Sequence, residues 1–139
     1  MTWSRFLKLY GIALPIFLVI DFIWLRLVAR SFYQAQIGHL MRAEINWAAA
    51  GLFYLIFVVG IVVLAVWPGG RGGGLAGAGG RGALLGLVTY AAYVLTNLAV
   101  LAGFPLGMAV VDMLWGALLC ATVSTLTYLL GRRWALFNI

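Results

Sequence analysis

Residues 6–28, 47–67, 83–101 and 105–130 form four long apolar runs that are almost free of charge. A helix needs about 20 mainly apolar residues to cross the hydrocarbon core of a bilayer, and each run approaches or exceeds that length. With 65% hydrophobic and only 9% charged residues, the chain is too apolar for a soluble domain of 139 residues. Strict alternation of polar and apolar residues is absent, which argues against a β-barrel. The expected fold is all-α, an integral membrane bundle of four transmembrane helices. It forms a single membrane domain over residues 1–139 with no soluble domain.

The net charge of +6 does not point to nucleic acid, because the basic residues cluster at the ends of the runs. Under four crossings, Arg5, Lys8, Arg71, Arg81, Arg132 and Arg133 share one side, and Arg26, Arg30 and Arg42 share the other. The excess of basic residues marks the cytoplasmic side, so both termini and the 68–82 segment are expected there. Arg5 and Lys8 before an apolar run mimic a signal peptide. The run is too long for one, however, and has no small-x-small cleavage site, so it reads as an uncleaved first helix. Cys120 is the one cysteine and reads as a small packing residue.

The connections differ in kind. Between the first two runs, Phe32, Ile37, Leu40 and Met41 fall partly at helical spacing, which predicts a short amphipathic helix on the outer surface. Between the second and third, PGGRGGGLAGAGGRG reads as a flexible glycine-rich cytoplasmic linker over 68–82. It contains two G-x-G-x-x-G matches, starting at Gly72 and Gly77. A dinucleotide site needs a preceding strand, whereas a membrane helix precedes these glycines, and no nucleotide is expected. Gly82 and Gly86 are spaced as GxxxG. That spacing permits close helix contact, but it also arises by chance in a glycine-rich chain. The short link before Pro105 makes the last two helices antiparallel neighbours.

Two acids interrupt the apolar runs: Asp21 in LVIDFIWLRLV and Asp112 in AVVDMLWGALL, both within Asp-x-x-Trp. A carboxylate at the centre of a membrane helix costs about 2.5–3.5 kcal/mol on insertion scales, and such acids usually mark a pathway, a proton relay or a counter-ion. At 1.5 Å of rise per residue, both lie roughly 10 Å below the outer boundary. Tyr54 reaches the same level in the second helix. Tyr93 and Asn97, at i and i+4 in the third, share one face. Trp24 and Trp115 lie at i+3 from their aspartates, with Trp24 outward of the acid layer and Trp115 inward of it. Asn97 and Thr96 also fit a purely helix-packing role, and Tyr54 and Tyr90 read as packing residues first, since interhelical hydrogen bonds contribute about 0.6 kcal/mol on average. No basic residue is placed to neutralise the aspartates, and the pair is suited to share a proton. His39 and Glu44 fall in the outer loop, no ligand spacing marks a metal site, and no cofactor is specified.

Together these residues resemble a family of small, uncharacterised bacterial membrane proteins classed as a domain of unknown function. The resemblance covers nearly the whole chain. It rests on Asp21-x-x-Trp24-Leu25, Tyr33, Ile37-Gly38 with Leu40-Met41, Asn46-Trp47 and Phe53-Tyr54. It continues through Tyr90-x-x-Tyr93, Leu95-Thr96-Asn97, Pro105 and Asp112-x-x-Trp115-Gly116. The chain departs from the family pattern at Val94, where an acid is common, and at Ile45, where proline is common. The resemblance implies a bacterial inner-membrane protein and brings no established activity. The residues favour an intramembrane pocket for an amphipathic ligand (a lipid, an isoprenoid or a hydrophobic cation) formed by Asp21, Asp112, Trp24, Trp115, Tyr93, Tyr54 and Asn97. Two alternatives remain open from sequence: an accessory subunit of a larger membrane complex or homo-oligomer, and a lipid-modifying enzyme using the aspartates as an acid/base pair.

Overall fold

The computed structural model describes residues 1–138, and their regular structure is helical throughout, with no strand among them. Helix α1 spans Trp3–Ile23, with Thr2 as its N-cap accepting from the Arg5 backbone N–H at 3.3 Å. A π-helical turn, Trp24–Val28, extends it. Helix α2, Arg30–Ile37, follows and ends in a 3₁₀ turn at Gly38–Leu40. Helix α3 covers Trp47–Ile61, capped by the Asn46 side chain, and continues through a π turn at Val62–Val66. Helices α4, Gly74–Val100, and α5, Leu106–Arg133, complete the chain.

Three helical stretches are long and apolar enough to cross a membrane: Trp3–Val28, Trp47–Val100 and Leu106–Arg133. The middle stretch has 54 residues. As one straight rod it would extend about 80 Å, far beyond a hydrocarbon core of about 30 Å. It is not straight. Gly72 and Gly74 adopt φ of 136° and 65°, values that glycine reaches without a Cβ clash. The chain reverses there, and a Cβ placed on Gly69 would lie 2.6 Å from that of Ala78.

The glycine-rich segment therefore differs from the flexible linker expected over 68–82. The turn is confined to a π-helical segment at Gly69–Gly73, and helix resumes at Gly74. The physical reason is packing. Small residues let the two limbs approach closely, and the Phe137 ring fills the space beside Gly70. Tertiary contact thus overrides the low helix propensity of glycine.

The GxxxG spacing also acquires a meaning. Gly82 and Gly86 are buried on the face of α4 that meets α5. A Cβ on Gly82 would come within 2.5 Å of the Cys120 carbonyl, and one on Gly86 would collide with Gly116. In α1 the buried residues Leu9, Ala13, Phe17 and Asp21 recur every four positions, making one stripe along the helix. The first three pack with Phe57, Val58, Ile61 and Val62 of α3 and its extension, and with Leu119, Cys120 and Val123 of α5. A second cluster, Val94, Phe104, Met108 and Ala109, receives Phe32, Tyr33 and Ile37 from α2. This contact lays the amphipathic helix over one end of the bundle and turns Tyr33 inward.

The close α4–α5 contact predicts a contrast between two glycines. Gly86→Ala should destabilise the folded chain by about 1–3 kcal/mol through overpacking. Gly80→Ala, where nothing lies within 4 Å of the new Cβ, should be neutral or stabilising by up to about 1 kcal/mol. Unfolding midpoints in one detergent will separate the two, and equal shifts would contradict this contact.

Candidate functional site

Asp21 extends the buried stripe of α1 by one turn, and Asp112 lies in the buried stripe of α5 beside Met108, Ala109 and Gly116. They are only 6% and 4% exposed. A carboxyl group at such positions must find its partners within the protein. Asp21 accepts from the Tyr54 hydroxyl at 2.8 Å on Oδ2 and from the Trp115 indole at 3.3 Å on Oδ1. Asp112 accepts from the Tyr33 hydroxyl on Oδ1.

The direction of the second set follows from donor chemistry. Trp24 Nε1 lies 3.0 Å from the Tyr33 hydroxyl, and an indole nitrogen can only donate. The Tyr33 oxygen therefore accepts from Trp24, and its single proton goes to Asp112. Burial, and then the hydrogen bond to Asp112, raise the Tyr33 phenol above its ordinary pKa. This keeps it in the protonated, donating form.

The two indoles stack on each other, with ring centroids 4.3 Å apart and planes 9° from parallel. Such a pair contributes about 0.5–1.5 kcal/mol beyond its buried area. The stack also fixes the register of the two motifs. Helices α1 and α5 run antiparallel, since Leu9 meets Gly131 near one end and Asp21 meets Trp115 further along. Each aspartate lies about a turn to the N-terminal side of its own indole, and the two helices run in opposite directions. The pairing is crossed: Trp115 serves Asp21, and Trp24 serves Asp112 through Tyr33.

These groups surround one cavity of about 460 Å³, a volume suited to a small ligand. Of the residues singled out from sequence, Asp21, Asp112, Trp24, Trp115, Tyr54 and Tyr93 all line it. Asn97 does not. It is half-buried one turn beyond Tyr93, and its side chain makes no hydrogen bond among the described residues. Thr89, Tyr90, Met108 and Ile37 add to the wall, while Leu25, Met41, Phe53 and Tyr93 are the exposed members at its rim.

The residue that sequence reasoning undervalued is Tyr33. Within the α2 segment it looked like part of an interfacial helix, and its only signal was its place in the family pattern. Its role depends on α2 folding back over the bundle, which no local spacing encodes.

A family model, DUF2177, described as a predicted membrane protein, matches residues 6–129. No curated protein and no solved structure matches the chain.

The Trp24–Tyr33–Asp112 relay predicts strong coupling between its members. Tyr33→Phe should leave the Trp24 N–H and one Asp112 oxygen unpaired, costing about 1–3 kcal/mol. Trp24→Phe added to that background should cost less than it does alone, because its polar partner is already gone. Purely additive unfolding free energies would show that the relay contributes nothing.

Proposed function

The chain belongs to this family of membrane proteins of unknown function, and we propose that it binds an amphipathic ligand in the aspartate–tryptophan cavity. The single observation carrying this reading is the cavity itself. It joins two buried carboxyl groups to aromatic walls and an exposed apolar rim. A lipid-like molecule has the matching halves: a polar group for Asp21 and Asp112, and a hydrocarbon portion for the rim and the surrounding bilayer.

The setting proposed is a bundle crossing the bacterial inner membrane four times. The reversal at Gly72–Gly74 supports this count, because it divides the 54-residue stretch into two antiparallel limbs. The basic residues would then place both termini in the cytoplasm and the cavity towards the outer leaflet. Helix α2 would lie at the outer surface and roof the site. Asp21 and Asp112 would carry charge or a proton, Tyr33 and Tyr54 would hold the carboxyls in place, and the indole pair would form a flat wall.

Two measurements test this reading. Reporter fusions at the C-terminus and within residues 30–45 should report opposite sides of the membrane, and a periplasmic C-terminus would overturn the orientation. Asp112→Asn and Asp21→Asn keep shape and an acceptor oxygen but lose the acid. Each should express and fold near wild-type stability yet fail to complement a deletion strain. Full complementation by both single variants and by the double variant would discard the functional site. An accessory subunit, with polar groups used only to join helices, would then be the better account.

A further inference from the structure

The cavity interior carries acids and π faces but no base. None of the nine lysines and arginines lines it, nor does His39. Arg26 is nearest in sequence to Asp21, but it is exposed and holds its guanidinium 5.7 Å from the centre of the Phe22 ring. Arg30 and Arg42 are exposed as well. The polar donors present are all neutral: two phenols and one indole on the carboxylate oxygens. They leave one position open. Asp112 is 4% exposed and faces the cavity, yet its Oδ2 accepts no hydrogen bond from the described residues.

We propose that this cavity recognises the ammonium head of a cationic amphiphile, a long-chain amine or quaternary ammonium lipid. The inference rests on the pocket reading above and names its ligand class. An ammonium group placed between the carboxyls compensates a charge that no protein side chain compensates. It would also lie among the aromatic side chains of Trp24, Trp115, Tyr90 and Tyr93 that line the cavity, the residue types that attract organic cations. An anionic head would have no counter-charge there. A neutral head would leave a buried carboxylate without a cation, which is the costly arrangement for a buried ion. A hard metal ion suits the site poorly. It needs six or more oxygens in a close shell, whereas no group of three His, Cys, Asp or Glu side chains comes together among the described residues.

The test uses the full chain in nanodiscs of zwitterionic lipid and tritiated hexyltrimethylammonium as the probe, with empty nanodiscs subtracted. Saturable binding is expected, with excess hexanol or hexanoate unable to displace the probe. Asp112→Asn should weaken binding by roughly tenfold or more. Because the competition arm uses the wild-type protein, it stands even if that variant misfolds. Displacement by hexanol as efficient as by unlabelled probe would overturn the ammonium assignment and leave the pocket reading intact. Displacement by low concentrations of sodium or potassium would assign the site to an inorganic cation and overturn the proposal. If neither the probe nor the neutral and anionic analogues bind saturably to folded protein, the proposal and the pocket reading both fall.

Discussion

A carboxyl group buried among apolar helices needs polar partners to offset its lost hydration. Whatever holds Asp21 and Asp112 must be supplied by the protein, and much of the architecture follows from that need. Asp21 draws α3 and α5 toward α1, through Tyr54 and Trp115. Asp112 draws α2 down onto the bundle, through Tyr33. The hydrophobic clusters could accept many small adjustments of helix rotation and height. The hydrogen bonds to the two carboxyls accept very few, because an unpaired partner at this depth is expensive. The polar groups thus set the register that the apolar contacts fill.

The glycines serve the same end at a different place. Close approach at Gly82, Gly86 and Gly116 fixes α5 against α4, and that fixes where Asp112 and Trp115 stand. On the other side, Phe17, one turn before Asp21 on α1, packs edge-on against Tyr54 and Phe57 and so settles the ring whose hydroxyl reaches Asp21. The cavity lies where these two well-packed halves do not quite meet.

Much of this was legible in the sequence. Apolar run length gave the helical class, and the i, i+3 spacing put each aspartate and its tryptophan on one face. Six of the seven residues singled out line one cavity. What could not be read was anything requiring two segments to be placed together. Spacing within each Asp-x-x-Trp could not show that the pairing is crossed between helices, with Trp115 on Asp21 and Trp24 reaching Asp112 through Tyr33. Asn97 shares the local face of Tyr93 and still falls beyond the cavity, because depth along α4 decides its neighbours. The linker was misjudged in the same way: glycine content argues for flexibility only until a partner surface, here Ala78 and Phe137, makes small size the useful property.

The indole pair carries a consequence of another sort. Two tryptophans face each other at 4.3 Å and are nearly parallel, so their electronic transitions cannot be independent. They form a coupled chromophore whose near-ultraviolet optical activity depends on the spacing and twist of the two rings. One ring rides on the end of α1 and the other on α5. A slide of either helix by a fraction of a turn would alter that signal before it disrupted much of the packing. The protein thus contains, without any label, an optical gauge of its own helix register.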